Sequence, residues 1–321
     1  MRTRKLGNSE LGLSAIGFGA WAIGGGDYQF GWGPQDDKES IEAIHRALDL
    51  GINWIDTAAV YGLGRSEEVV GRAIAGRRDK VIVATKCALV WDEKRQTGNR
   101  LKASSVKKEC EDSLRRLNTD VIDLYQIHWP NPDEDIEEGW RAVNDLVKEG
   151  KVRYGGVSNF SAAQMERVSK IAPIASLQPP YSLLNRAVET EILPYCGKNN
   201  IGVVAYSPMA SGLLAGKFDE ERVTRLPDED WRKKYNENFK QPKLEKNLAF
   251  VKELSEIARD FGRSVSHLAI AWVLRRPEVT SAIVGSRNAR QVEETTGAWD
   301  WELEPETIDR VEAAYKKCLL Q

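Results

Sequence analysis

Histidine and cysteine are scarce in this chain, three of one and four of the other in 321 residues. The cysteines (Cys87, Cys110, Cys196 and Cys318) lie far apart, form no C-x-x-C pair, and gain no zinc-like spacing from the histidines. That argues against a metal centre or a disulfide scaffold and fits a reduced, cytoplasmic protein. No apolar run is long enough to span a bilayer. Arg2, Arg4 and Lys5 precede a small-residue run, Leu11 to Gly26, but that run is too glycine-rich for a signal-peptide core. Excess charge is missing too: 46 Lys and Arg stand against 48 Asp and Glu, a net charge of -2. Neither nucleic acid nor an anionic membrane is expected as the main partner, although a local basic pocket for a phosphate remains open.

What is present is a regular alternation. A hairpin is expected over Thr3 to Leu13, turning at Gly7-Asn8. Short apolar stretches then alternate with segments of helical spacing. The strands are 15–19, 52–56, 80–85, 122–127, 152–157, 175–178, 201–206 and 281–284. Helices are expected over 37–50, 66–75, 103–117, 136–148, 161–171, 189–199, 244–261, 265–274, 288–295 and 305–316. Eight apolar strands in alternation with helices imply one parallel (β/α)8 barrel of the α/β class, preceded by a β-hairpin and spanning 1–321 as a single domain. The charged stretch 216–241 reads as an excursion, either a solvated loop or a lid.

In such a barrel the functional residues stand at the C-terminal ends of the strands. Asp56 ends the second strand, and Tyr61 follows in a loop of small residues. Lys86 follows the third strand, His128 the fourth, Ser158 and Asn159 the fifth, Gln178 the sixth, Tyr206 and Ser207 the seventh, and Gly285, Ser286 and Arg287 the eighth. Alone, each is an ordinary cap, turn or solvated side chain. Together they suggest proton transfer to an oxygen. A tyrosine gives up its proton poorly at neutral pH, and an ammonium beside it would lower its pKa. Lys86 is expected to supply that charge, Asp56 to hold Lys86, and His128 to orient a carbonyl oxygen.

These residues lie in stretches that resemble the aldo-keto reductase family. The stretches are Asp-Thr-Ala-Ala-Val-Tyr-Gly with Asp56 and Tyr61, Ala-Thr-Lys with Lys86, and Gln-Ile-His-Trp-Pro with His128. Gly-Val-Ser-Asn-Phe follows at 156–160, Ala-Tyr-Ser-Pro-Met at 205–209, Gly-Leu-Leu-Ala-Gly-Lys at 212–217 and Ile-Val-Gly-Ser-Arg at 283–287. The resemblance spans nearly the whole chain and is nearest to bacterial and plant members. It implies hydride transfer from NADPH to a small carbonyl compound, with Tyr61 as the acid and Asp56, Lys86 and His128 as its partners. It also implies that Ser158, Asn159 and Gln178 hold the nicotinamide amide, that Tyr206 stacks on its ring, and that Asp56 lies near the cofactor. Ser207, Leu213, Gly216 and Lys217 would line the pyrophosphate. Gly285, Ser286 and Arg287 would meet the adenosine end, the last two at its 2′-phosphate, with Gln291 and Glu294 beside them. Thr295 stands where the family usually has asparagine. A guanidinium suits a phosphate dianion, so NADP is expected over NAD.

Gly17-Phe-Gly-Ala-Trp-Ala22 matches G-x-G-x-x-A but opens no helix, so it is read as a strand end that brings Gly19, Ala20 and Trp21 close to cofactor and substrate. Trp21, Trp91 and Trp129 are candidate pocket walls. Two other readings stay open. One is an NADP(H)-binding regulatory subunit of a channel; the other is a dehydrogenase oxidising a polyol or sugar alcohol. Oligomeric state is not legible.

Overall fold

The computed structural model describes residues 1–26, 28 and 30–320. Eight parallel strands close into a barrel in sequence order. They are β1 Ile16–Gly19, β2 Trp54–Asp56, β3 Ile82–Cys87, β4 Ile122–Ile127, β5 Val152–Ser158, β6 Ser176–Gln178, β7 Gly202–Tyr206 and β8 Val279–Gly285. Gly285 of β8 pairs with Gly19 of β1 and closes the ring. The (β/α)8 expectation is met, as is the N-terminal hairpin, in which Thr3–Lys5 pairs with Gly12–Ser14.

Helices α1 Asp37–Asp49, α2 Arg65–Ala73, α3 Ala103–Leu117, α4 Ile136–Lys148, α5 Ala162–Ser169 and α6 Ile192–Lys198 surround the barrel, joined by α7 Val265–Leu274 and α8 Ala289–Thr296. Two more, Lys243–Asp260 and Pro305–Leu319, pack on each other. Local chemistry sets the ends. Asp36 accepts the Glu39 N–H to cap α1, which buries Ala43, Ile44 and Ala47 at helical spacing. Ser161 and Gln164 form a capping box on α5.

Some boundaries differ from expectation. β3 continues through Lys86, whose backbone pairs with Gln126; ladder hydrogen bonds do not depend on side-chain polarity. The 189–199 segment splits into a turn at Ala187–Glu189 and a helix from Ile192, which puts Pro194 in the first turn, where its missing N–H has no cost. The 216–241 stretch holds short helical pieces, Glu220–Thr224, Trp231–Tyr235 and Glu237–Phe239, pinned by buried Val223 and Phe239. An unforeseen hairpin pairs Leu89–Trp91 with Thr97–Asn99. Among the described residues, no helix is long and apolar enough to cross a membrane.

The barrel interior is filled from below. Trp54, Ala84, Leu124 and Val204 cluster with Leu6, Leu11 and Leu13, so the N-terminal hairpin plugs one end. Trp54 is fully buried and donates to Ser281 Oγ at 3.0 Å. A Cβ on Gly17 would stand 2.1 Å from this indole, so only glycine fits beside it. Two residues further along the inward faces, at the strand period of two, come Asp56, Lys86, Gln126 and Tyr206. The polar residues therefore gather at the open end.

Helix α3 fastens the second hairpin to that end. Glu109 is buried, and its carboxylate accepts the Ala88 N–H at 2.9 Å and the Ser105 hydroxyl at 3.0 Å. Ala88 has a φ of 82°, a conformation that needs support in a residue with a Cβ. Burial pushes the Glu109 carboxyl up to about 7, against the hydrogen bonds from Ser105 and Ala88. A folded pKa above the unfolded value adds stability at low pH, and that stability is lost as pH rises through the folded pKa. The stability gap between Glu109→Gln and wild type should therefore move in the variant's favour by roughly 2–3 kcal/mol between about pH 5 and about pH 8. Urea unfolding at both pH values measures it; an unchanged gap overturns the assignment of this carboxyl.

Candidate active site

The floor of the open end is built on one side chain. Lys86 projects from β3 with no solvent exposure, and its Nζ donates to Asp56 Oδ2 at 2.7 Å, to the Thr57 carbonyl at 2.8 Å and to the Tyr61 hydroxyl at 3.1 Å. All three ammonium hydrogens have acceptors. Strand register explains the approach: Asp56 pairs with Ala84, and Lys86 is two residues beyond on the same face. The other Asp56 oxygen accepts from Gln178 Nε2 at 2.7 Å. Behind Lys86, buried Glu67 accepts from Thr85 at 2.5 Å and from Arg116 at 2.6 Å.

The loop after β2 is shaped by close packing. Gly62 has a φ of 65°, and a Cβ there would lie 2.2 Å from the Gly24 carbonyl. This contact folds the loop back and places Tyr61 over the strand end. Its phenol is not lowered as expected from its lysine neighbour. Burial pushes it well above the ordinary tyrosine value, and the Asp56 charge reinforces the shift. Burial also lowers Lys86, opposed by Asp56 and Glu67. The expectation weighed the ammonium alone and left out the desolvation of a phenolate next to a carboxylate. His128 packs edge-on against Tyr61 with ring centroids 5.7 Å apart. Burial and then Lys86 hold its imidazole well below the usual histidine value, so it is uncharged at neutral pH.

A second group of side chains stands beside this cluster. Ser158 donates to the Gln178 carbonyl at 2.8 Å, and Asn159 Nδ2 bonds the His128 carbonyl and Ser158 Oγ, both at 3.0 Å. The Tyr206 hydroxyl donates to Asn159 Oδ1 at 2.9 Å. Asn159 and Ser207 both have positive φ, 63° and 55°, which turns the chain sharply at the ends of β5 and β7.

These groups line one end of a cavity of about 820 Å³. Gly19, Trp21, Trp129 and Ser207 also face it, and Lys217, Gly285, Arg287, Gln291 and Glu294 line its far end. At that end Lys217 pairs with Glu294 at 2.5 Å, and Gln291 Oε1 accepts the Arg287 N–H at 2.9 Å. Thr295 lines the cavity as well, but its hydroxyl is taken up by the Gln291 carbonyl at 3.0 Å. The donor set fits a dinucleotide: amides and hydroxyls at one end, Lys217 and Arg287 towards the other, and an open strand end at Gly285, where a Cβ would meet only the Gly19 carbonyl at 3.8 Å.

Lys86 is buried beneath the cavity floor, and five other expected residues do not line the cavity either. Ala20 is fully buried, its N–H on the Asp56 carbonyl. Leu213 belongs to the core beneath the excursion. Gly216, with a φ of 69°, is a turn residue packed near Val265. Ser286 is buried. Trp91 lies beneath the Arg116 guanidinium, 5.8 Å from its ring centroid, and that contact draws it off the cavity. Several lining residues were missed: Trp32 from the first loop, Leu89 and Thr97 from the second hairpin, and Arg222, Trp231 and Arg232 from the excursion. Trp231 packs edge-on to Trp21 at 5.4 Å, and Arg232 stacks over Trp32 at 5.0 Å. The one signal in the sequence was a tryptophan in a charged stretch.

Comparison with known proteins gives consistent matches. The model of the Aldo/keto reductase family matches residues 15–316. Aldo-keto reductase YhdN of Bacillus subtilis (strain 168) is 41% identical over 309 residues, 95% of this chain and 91% of that protein. The NADH-specific methylglyoxal reductase of Escherichia coli (strain K12) is 33% identical over 314 residues, 93% of each chain. Among solved structures, the glycerol dehydrogenase AKR11B4 from Gluconobacter oxydans superposes with a TM-score of 0.90 at 41% identity, covering 99% of this chain and 96% of that one. An aldo-keto reductase from Klebsiella pneumoniae in complex with NADPH gives 0.76 at 30% identity, covering 98% and 95%.

The buried pair carries its own test. Asp56→Ala would leave the Lys86 charge in the interior without a counter-ion, which costs about 3–5 kcal/mol. Urea unfolding should show that loss; a change below about 1 kcal/mol would mean that the ammonium is not held as described.

Proposed function

The chain belongs to the aldo/keto reductase family, and from that premise we propose that it reduces a small aldehyde or ketone to the alcohol with NADPH, Tyr61 giving the proton. One observation carries this reading: a single buried ammonium bonded at once to Asp56 and to the Tyr61 hydroxyl at the cavity floor. A reduced nicotinamide supplies the hydride when bound. Tyr61, whose phenol burial keeps protonated, holds the proton at its Oη. The neutral His128 ring donates an N–H to the carbonyl oxygen and leaves room for the charge that develops there. As the oxygen becomes an alkoxide, a far stronger base than a phenolate, it takes the Tyr61 proton. Lys86 then donates to the phenolate left behind, and Asp56 keeps Lys86 in place. Carbon gains the hydride, oxygen gains the proton, and the phenol is reprotonated from solvent.

Ser158, Asn159 and Gln178 are assigned to orienting the nicotinamide amide, and Tyr206 to its ring face. Arg287 at the far end favours a 2′-phosphate, hence NADPH over NADH. The similarity to a glycerol dehydrogenase favours a second reading, oxidation of a polyol by the same residues with Tyr61 as base. A phenol with a raised pKa is a poor base at neutral pH, which favours reduction there and oxidation only in alkali.

Tyr61→Phe should lower kcat for carbonyl reduction by at least about 100-fold while the NADPH Kd, read from tryptophan quenching, changes less than about twofold. Turnover that survives the change rules out this acid. With His128 lowered and Tyr61 raised, reductive kcat/KM should be flat from about pH 6.5 to about pH 9.5, and alcohol oxidation should climb across that range. A bell centred near neutrality in the reductive direction would contradict both assignments.

A further inference from the structure

The wall of the cavity near Tyr61 and its far, adenosine-facing end are tied together through one buried amide outside the cavity. Gln35 lies in the segment between Trp32 and α1. Its Nε2 donates to the Arg287 carbonyl at 2.8 Å and to Ser40 Oγ at 3.1 Å, and its Oε1 accepts from Arg287 Nε at 2.6 Å. Arg287 Nη2 donates to the neighbouring Pro34 carbonyl. From the other side, Arg65 Nη2 donates to the Gln35 carbonyl at 2.6 Å and to Asp37 at 2.6 Å. Arg65 opens α2 directly after the loop that carries Tyr61. Segment 34–37 is thus held between the end of β8 and the start of α2.

Three residues upstream stands Trp32, a cavity wall. Its ring packs on Trp21 at 5.2 Å and lies beneath the Arg232 guanidinium. Its indole N–H is buried and has no acceptor among the described residues. Among the described residues no hydrogen bond fixes the Trp32 side chain, so its place depends on stacking and on the short link through Gly33 and Pro34 to Gln35. Arg287 devotes two of its three guanidinium nitrogens to that same link and also lines the cavity.

We propose that Gln35 is a positioning residue that couples the adenosine end of the cavity to substrate affinity: a phosphate on Arg287 alters the hold on segment 34–35 and thereby sets the position of Trp32. This rests on the reading of Arg287 as the 2′-phosphate residue. Coupling of this kind is reciprocal and amounts to about 5–150-fold in affinity. A cofactor that carries the 2′-phosphate and one that lacks it then give different carbonyl KM values on the same enzyme, beyond any difference in their own binding.

The test compares NADPH and NADH, each at saturation, in wild type, Gln35→Ala, Gln35→Glu and Arg287→Ala. Carbonyl KM is measured with each cofactor, together with hydrogen–deuterium exchange of the peptide covering residues 30–37 with each bound. In wild type, NADPH should lower KM at least about fivefold relative to NADH and slow exchange of that peptide more than NADH does. In Gln35→Ala the KM ratio should fall within about twofold and the exchange difference should vanish. Gln35→Glu keeps an acceptor for Arg287 Nε but sets a carboxylate oxygen against the Arg287 carbonyl in place of the donating Nε2, so it too should narrow the KM ratio and the exchange difference. Where NADH gives no measurable turnover, or Gln35→Ala folds poorly, the exchange comparison in wild type and Gln35→Glu decides. Equal KM and equal exchange in wild type, or a full wild-type ratio in Gln35→Ala, overturns the coupling. Tryptophan quenching by NADPH separates the two failures. If Arg287→Ala binds NADPH as tightly as wild type, the phosphate assignment falls and the coupling with it. If it binds more weakly while Gln35→Ala keeps the wild-type ratio, the coupling alone falls.

Discussion

Lys86 carries its charge where water does not reach. An ammonium in that position costs several kcal/mol in lost hydration unless every hydrogen finds an acceptor and a counter-charge stands close. The neighbouring structure supplies both: Asp56 from the next strand, the Thr57 carbonyl and the Tyr61 hydroxyl. Asp56 in turn needs a second donor, and Gln178 crosses the barrel to provide it. The strands that carry these groups cannot slip in register without stranding the charge. The electrostatic need and the ladder pairing therefore select the same arrangement, and that arrangement leaves a phenol and a neutral imidazole facing one cavity.

The rest of the barrel makes this burial possible. Its lower end is packed with leucines from the hairpin and with Trp54, so water has no route to Lys86 from below. Gly17 and Gly62 act at two places where a Cβ has no space, one admitting the indole, the other letting the Tyr61 loop fold onto Gly24. Around the rim, the residues that face the cavity come from loops of different origin: the first loop, the second hairpin and the excursion after β7. Arginines join these loops by stacking and pairing. Arg232 lies over Trp32 while bound to buried Asp230, and Arg287 grips segment 34–35. The rim is one connected assembly in which cation–π and guanidinium contacts tie separate loops together.

Much of this was readable from the chain. Period-two and helical spacing are local, so the eight strands, the surrounding helices and several caps follow from neighbouring residues alone. Because barrel chemistry collects at strand ends, Asp56, Lys86 and His128 could be named from position, and their residue types suggested proton transfer. The order and class of the fold, the membership of a reductase family and the identity of the polar cluster were decided at that level. What could not be read depends on contacts between distant segments. Trp91 was expected in the cavity, but Arg116, on another element, holds it outside. Trp32, Arg222, Trp231 and Arg232 reach the rim only because separate loops converge there. The Tyr61 phenol is raised rather than lowered because the desolvation of a site is set by all the atoms packed around it. Local pattern dictates which way a side chain points along its own strand or helix; what it meets there is decided when strands hundreds of residues apart close into a ring.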